Sequence, residues 1–172
     1  MTRPRIAPVG TILLVIAAGA CGPAGKSPPR AAAATVDTAA VMAGIADLWD
    51  RWATADTSEN FEAILGMMSE SVWVDARGFP PMTSREAVRA VFAPLYAQVD
   101  YLEASATPQI TVAMSNNLVN QAGTIVERYT VKGRAGEMTD YGRYAASFVR
   151  GADGRWRWGY MMAMVDSTVT KK

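Results

Sequence analysis

The stretch Glu137–Ser167 reads EMTDYGRYAASFVRGADGRWRWGYMMAMVDS. Two runs rich in aromatic and apolar residues flank the turn residues Gly151-Ala152-Asp153-Gly154. This pattern predicts a long β-hairpin. In the first run Asp140, Tyr144 and Phe148 share a parity, so they share one face of the strand. In the second run Trp156, Trp158, Tyr160, Met162 and Met164 share a face. Arg157, Gly159, Met161, Ala163 and Val165 then occupy the other. Two more strands lie upstream. Leu118–Lys132 ends in the turn Gly133–Gly136, and Tyr101–Met114 ends in the turn Ser115-Asn116-Asn117. Pro108 interrupts the latter strand, which predicts a bulge or a sheet edge there.

Ahead of these strands the period changes from two to about 3.6. From Asp37 onward, Val41, Ile45, Leu48, Trp49 and Trp52 fall on one helical face. Asp56 and Glu59, three apart, read as a capping box for a short second helix carrying Phe61, Ile64, Leu65 and Met68. Ser71–Asp75 reads as a strand, within the run VWVDARG at Val72–Gly78. Thr83-Ser84-Arg85-Glu86 reads as another capping box. It opens a helix with Val88, Val91, Phe92, Leu95, Tyr96 and Val99 on one stripe. The order α-α-β-α-β-β-β-β predicts a single α+β domain over residues 37–168. Long strands demand a strongly curved antiparallel sheet, with the three N-terminal helices on its concave face. Helices that stop short of filling that hollow leave a pocket.

Composition limits the chemistry. The chain has 172 residues, half of them hydrophobic, and a formal net charge of +1. Such a balance gives no electrostatic footprint for a nucleic-acid partner. The absence of histidine and the single cysteine, Cys21, exclude Ser/His/Asp and Cys/His catalysis and an intrachain disulfide. No Asp/Glu cluster has the spacing of a metal-binding loop, so neither metal nor cofactor is expected. Acid–base work falls to Asp, Glu, Lys, Arg or Tyr.

The first twenty residues carry Arg3 and Arg5, then an apolar run from about Ile6 to Ala20, which fits a signal peptide. The run is shorter than the ~20 residues of a spanning helix. Ala18-Gly19-Ala20-Cys21 resembles a bacterial lipobox, which implies lipid modification of Cys21. Ordinary cleavage after Ala20, with an incidental cysteine, is the alternative. Residues 21–36, rich in Pro, Gly and Ala, read as a tether, and 169–172 as a tail. The expected location is the bacterial cell envelope, with the membrane reached through Cys21.

The domain resembles the cone-shaped α+β barrel of the SnoaL-like, nuclear transport factor 2-like superfamily, which includes ketosteroid-isomerase-like proteins. The resemblance rests on Trp49-Asp50-Arg51-Trp52 with Ala55-Asp56, on Val72-Trp73-Val74-Asp75 followed by Gly78, on Arg85–Phe92, and on Gly154-Arg155-Trp156-Arg157-Trp158. The ketosteroid-isomerase-like branch carries an aspartate base after its first strand, which implies that role for Asp75. Its first-helix tyrosine has no counterpart at Leu48-Trp49. Its second acidic donor falls near Tyr144. Fold alone does not imply function.

The candidate residues follow. Asp75 is either a base at the mouth of an apolar cavity or a turn carboxylate facing water or paired with Arg77 or Arg85. Trp49, Trp52, Trp73, Phe92, Tyr96, Trp158 and Tyr160 are core or pocket wall. Asp140 needs a partner, supplied by a tyrosine or by Arg128 or Arg143. The leading functional expectation is a lipoprotein binding a small apolar or aromatic molecule without chemistry. An isomerase, cyclase or dehydratase using Asp75 as base and Tyr144 as oxyanion stabiliser is the alternative. A third reading is a dimeric assembly module, with the outer parity of the last strand docking a second copy.

Overall fold

The structure is a computed structural model that describes residues 35–171. The proposed signal peptide, Cys21 and all of the tether except Thr35 and Val36 lie outside the described residues. The order is α1 (Thr38–Thr57), α2 (Phe61–Gly66), β1 (Met68–Ala76), α3 (Arg85–Tyr96), β2 (Val99–Ser115), β3 (Leu118–Val131), β4 (Glu137–Arg150) and β5 (Trp156–Lys171). Helix α1 begins at Asp37, whose carboxylate accepts from the Ala40 amide at 3.1 Å. The Asp37 amide in turn donates to Asn116 Oδ1 at 2.8 Å, so the β2–β3 turn fastens the start of the helix. The inward stripe runs Val41, Ile45, Leu48, Trp49, Trp52 and on to Ala55 and Asp56. Gly44 lies beside it for a steric reason: a Cβ there would come within 2.4 Å of the Trp156 ring.

Two caps differ from expectation. Asp56 does not start α2, because α1 continues through it to Thr57. Asn60 caps α2 instead, accepting from the Ala63 amide at 3.0 Å. For α3 the capping oxygen belongs to Ser84, which accepts from the Ala87 amide at 3.2 Å. Only Val88 of the α3 stripe is fully buried. Ala87, Val91, Phe92 and Tyr96 pack against the core while only partly buried, because the helix also stands over a hollow, and Val99 already belongs to β2.

The five strands make one sheet in the order β1-β5-β4-β3-β2. Its four long strands pair antiparallel. The short β1 adds to β5 in parallel, so the expected antiparallel sheet is mixed. A parallel neighbour needs a long crossover; α3 and the β2–β4 meander supply it. β2 is an edge strand, and its register slips between Pro108 and Ile110, as the proline predicts. Gly123 faces Pro108 there; a Cβ would sit 2.2 Å from the Thr107 carbonyl oxygen.

Cross-strand pairing defines the concave face. On β4 it comprises Met138, Asp140, Gly142, Tyr144, Ala146 and Phe148. Their β3 partners are Tyr129, Glu127, Ile125, Gly123, Gln121 and Val119. On β5 the register slips between Trp158 and Tyr160, so Gly159 is an extra residue. A one-residue bulge exchanges the faces of the residues beyond it, here until a second slip at Asp166 restores the original parity. Trp158 pairs with Phe148 inside, then Met161, Ala163 and Val165 pair with Ala146, Tyr144 and Gly142. The expected outer patch of Met161, Ala163 and Val165 is therefore an inner one. Tyr160 and Met162, expected inside, share the convex face. Phe148, Ile45, Leu48 and Leu65 lead the core at 2% exposure or less.

Candidate active site

Between α1, α2, α3 and the concave face lies a cavity of about 620 Å³. That volume is in the range of small-molecule sites. Trp49, Trp52 and Trp158 form its deep wall, and Phe92 and Tyr96 line it from α3. Phe61 and Ile64 come from α2, Ile125 and Glu127 from β3, and Met161 and Ala163 from β5. The exposed residues Arg77, Phe79 and Asp166 mark the opening.

The deep wall is held by a polar knot. Trp49 Nε1 and the Tyr144 hydroxyl both donate to Gln121 Oε1, each at 2.8 Å. Gln121 Nε2 donates to Thr111 Oγ1 at 3.0 Å. Trp49 packs edge-on against Trp52, Phe148 and Trp158 with ring centroids 5.4–5.9 Å apart. Burial pushes the Tyr144 hydroxyl up to about 12. Tyr144 thus serves the wall through Gln121 and is not among the cavity-lining residues.

The acidic end is built by α1, α3 and β3. Asp56, in the last turn of α1, is 2% exposed. The Tyr96 hydroxyl donates to its Oδ1 at 2.7 Å. Among the described residues its buried Oδ2 has no partner. Burial raises the Asp56 carboxyl to about 6, against the opposing pull of the Tyr96 bond. Glu127 faces the same space from β3. Burial, then the negative charges of Asp56 and Asp140, push its carboxyl up to about 8. Tyr96 stacks on Phe61 and Tyr101 at 5.0 and 5.1 Å, and Tyr101 on Tyr129 at 5.8 Å. Burial, with the nearby Asp56 and Glu127 charges, also lifts the Tyr96 and Tyr101 hydroxyls far above the ordinary tyrosine range. All four hydroxyl and carboxyl groups are thereby biased toward their neutral forms. A carboxyl poised near 6 in an apolar wall can exchange a proton with a bound molecule near neutral pH. A neutral Glu127 can donate a hydrogen bond to it.

Five expected ligand-binding residues meet at the cavity: Trp49, Trp52, Phe92, Tyr96 and Trp158. Three expected ones do not line it. Trp73 is 46% exposed, because Val72 and Val74 take the inner parity of β1. Tyr160 is turned outward by the bulge at Gly159. Asp140 stands on the inner face but is occupied, accepting from Tyr129 at 3.2 Å and from Thr168 at 2.6 Å. The expected tyrosine partner is therefore Tyr129. Arg128 pairs with Glu103 and Glu137, and Arg143 with Asp166. Asp75 shares the parity of Trp73, opposite Val72 and Val74, and does not line the cavity. The strand that buries its valines carries this aspartate to the other side, and Arg85 bonds the Met68 carbonyl rather than Asp75.

Sequence reasoning missed Asp56 and Glu127 as site residues. Asp56 looked like a cap because it stands near a helix end. Its signal was the helical stripe itself, since Trp49, Trp52 and Asp56 recur at spacings of three and four. Glu127 has the inner parity of β3, shared with Ile125 and Tyr129, and that alternation was the available signal.

No curated protein matches the chain. Many solved structures share its fold. One, from Novosphingobium aromaticivorans and named provisionally as a scytalone dehydratase, superposes with a TM-score of 0.67 at 14% identity, covering 78% of this chain and 90% of its own. A ketosteroid isomerase-like protein from Erwinia carotovora atroseptica gives 0.62 at 13% identity, covering 75% and 95%. The hexachlorocyclohexane dehydrochlorinase LinA-type3 from Novosphingobium barchaimii gives 0.62 at 14%, covering 78% and 92%. At these identities the likeness concerns the fold. Residues 37–161 match the model of the SnoaL-like domain, and the chain belongs to that family.

Proposed function

We propose that the domain binds a small, largely apolar molecule bearing one polar group, in the cavity between the helices and the concave face. One observation carries this reading: an aromatic-walled space of about 620 Å³ ends at a buried carboxylate oxygen that no described side chain satisfies. Leaving a buried acceptor unpaired costs about 1–3 kcal/mol, and an apolar residue at position 56 would remove that cost. A polar group on the occupant offsets it. The test is calorimetric titration with 2-naphthol, a neutral bicyclic probe. Saturable binding is expected for the wild type, and loss of it for Ala163→Phe, which fills the space beside Met161. No binding by the wild type, or equal binding by the filled variant, would overturn the reading.

A second reading is favoured by the titration of Asp56 near 6. There Asp56 acts as general base on a carbon next to a carbonyl, which is isomerase- or lyase-type chemistry. Catalysed deuterium exchange into 2-tetralone in D2O, lost in Asp56→Asn, is expected. Exchange at the buffer rate in the wild type refutes it.

We propose further that lipid on Cys21 holds this domain at the cell envelope. Support comes from Arg3, Arg5 and the apolar run ahead of Ala18-Gly19-Ala20-Cys21. Mass spectrometry of the membrane fraction should find acylated Cys21; a chain cleaved after Ala20 with a free thiol contradicts it.

A further inference from the structure

We propose that the polar group of the occupant is an ammonium, seated between Asp56 and Glu127 against the rings of Phe61, Tyr96 and Tyr101, so that the ligand class is a small aromatic or alicyclic amine. The inference rests on the cavity-binding reading and names its ligand class. Four observations carry it. Two carboxyls from different elements, α1 and β3, line one end of one cavity. Asp56 is nine-tenths buried or more, and its Oδ2 is unpartnered. No described side chain donates to the Glu127 carboxyl, whereas Asp140 already accepts from Tyr129 and Thr168. The lining near the acids is aromatic, and aromatic faces attract cations within about 6 Å.

The titratable side chains gathered at this end are acidic or neutral. α1 brings Asp56, α3 brings Tyr96, and β2 brings Tyr101. β3 brings Glu127 and Tyr129, and β4 brings Asp140. Three described arginines act on groups around the cavity. Arg77 at the opening acts on Asp166. Arg143 is spent on Asp166, at 2.7 Å. Arg134 follows β3 and acts on Tyr129. A neutral ligand leaves Asp56 and Glu127 repelling each other once both ionise. An ammonium compensates both, and desolvated opposite charges attract more strongly than in water. Each carboxyl that is protonated in the free protein must then release its proton when the cation binds. No covalent bond changes; the exchange is proton out, ammonium in.

The experiment compares 2-naphthylmethylamine with 2-naphthylmethanol, which differ in the charged group alone, on the full domain by calorimetry from pH 5 to 8.5. The amine should bind about tenfold tighter than the alcohol at pH 8. The preference should shrink toward pH 5, where Asp56 and Glu127 are protonated. Amine binding near pH 7 should release a proton, seen as heat that changes with the ionisation enthalpy of the buffer; alcohol binding should not. Glu127→Gln and Asp56→Asn should each reduce the amine-to-alcohol ratio at pH 8. An alcohol that binds as tightly as the amine across this range overturns the ammonium proposal and leaves the cavity reading standing. Failure of both probes to bind overturns both.

Discussion

Asp56→Asn should stabilise the domain at neutral and alkaline pH, against the common expectation that altering a buried polar residue weakens a fold. The Asp56 carboxyl moves from its ordinary value of 3.8 to about 6 in the folded chain. At about 1.4 kcal/mol for each tenfold change in proton affinity, the ionised form costs about 3 kcal/mol as an upper limit. Because the folded value is raised, the benefit of the protonated acid is complete below 3.8 and is lost as pH rises through 6. Asparagine keeps an acceptor for the Tyr96 hydroxyl and carries no charge. The variant should therefore match the wild type near pH 4 and exceed it by up to about 3 kcal/mol at pH 8. For a domain of this length that is roughly 5–10 °C in Tm. Glu127, pushed up to about 8, acts in the same direction over a higher window, so wild-type stability should continue to fall between pH 6 and 8. The acid limb has other owners. Asp153, Asp166 and Glu62 are held below the ordinary carboxylate range by Arg157, Arg143 and Arg89, and their surface pairs weaken only as pH drops below about 4. Urea denaturation followed by far-ultraviolet circular dichroism at pH 4.5, 6 and 8 measures the difference. A variant less stable than wild type by the same amount at all three values would refute a strained carboxylate at the cavity.

Three further outcomes follow from named contacts. Tyr96→Phe removes the donor that favours ionised Asp56, so the Asp56 titration followed by carboxyl carbon NMR should move above 6; a downward move contradicts the assignment. Gln121→Leu orphans Trp49 Nε1 and the Tyr144 hydroxyl and should cost about 2–6 kcal/mol in urea denaturation, from about 1–3 kcal/mol for each buried unsatisfied group. Gly44→Ala drives a methyl into the Trp156 ring and should cost about 1–3 kcal/mol through overpacking; an unchanged Tm would contradict the close approach of α1 to β5.

The element order was readable because each segment announces itself locally. The 3.6-residue stripe of α1 and the turn residues at Gly151–Gly154 need no knowledge of distant chain. The α+β layout follows from their order, and the family resemblance on Trp49-Asp50-Arg51-Trp52 and Gly154–Trp158 agrees with the fold found. What alternation could not show was the bulge at Gly159. One extra residue reverses the faces of Met161, Ala163 and Val165, and nothing local distinguishes that glycine from an ordinary strand glycine. The same limit applies to β1, whose parallel pairing with β5 depends on strands almost a hundred residues away. Asp75 was chosen for its setting in VWVDARG, but burial of Val72 and Val74 decides its side, and it faces away. Asp56 was passed over because a carboxylate near a helix end looks like a cap. Its burial comes from Tyr96 and β3, which approach only in the folded chain.

Methionine methyl NMR tests the central claim most directly. Met68 and Met161 line the cavity, while Met42 and Met114 are exposed outside it. Titrating 2-naphthol into protein labelled with carbon-13 at its methionine methyls should shift the Met68 and Met161 signals along one saturating curve and leave Met42 and Met114 in place. Shifts confined to Met42 or Met114, or no saturable shift at Met161, would contradict a ligand site between the helices and the concave face.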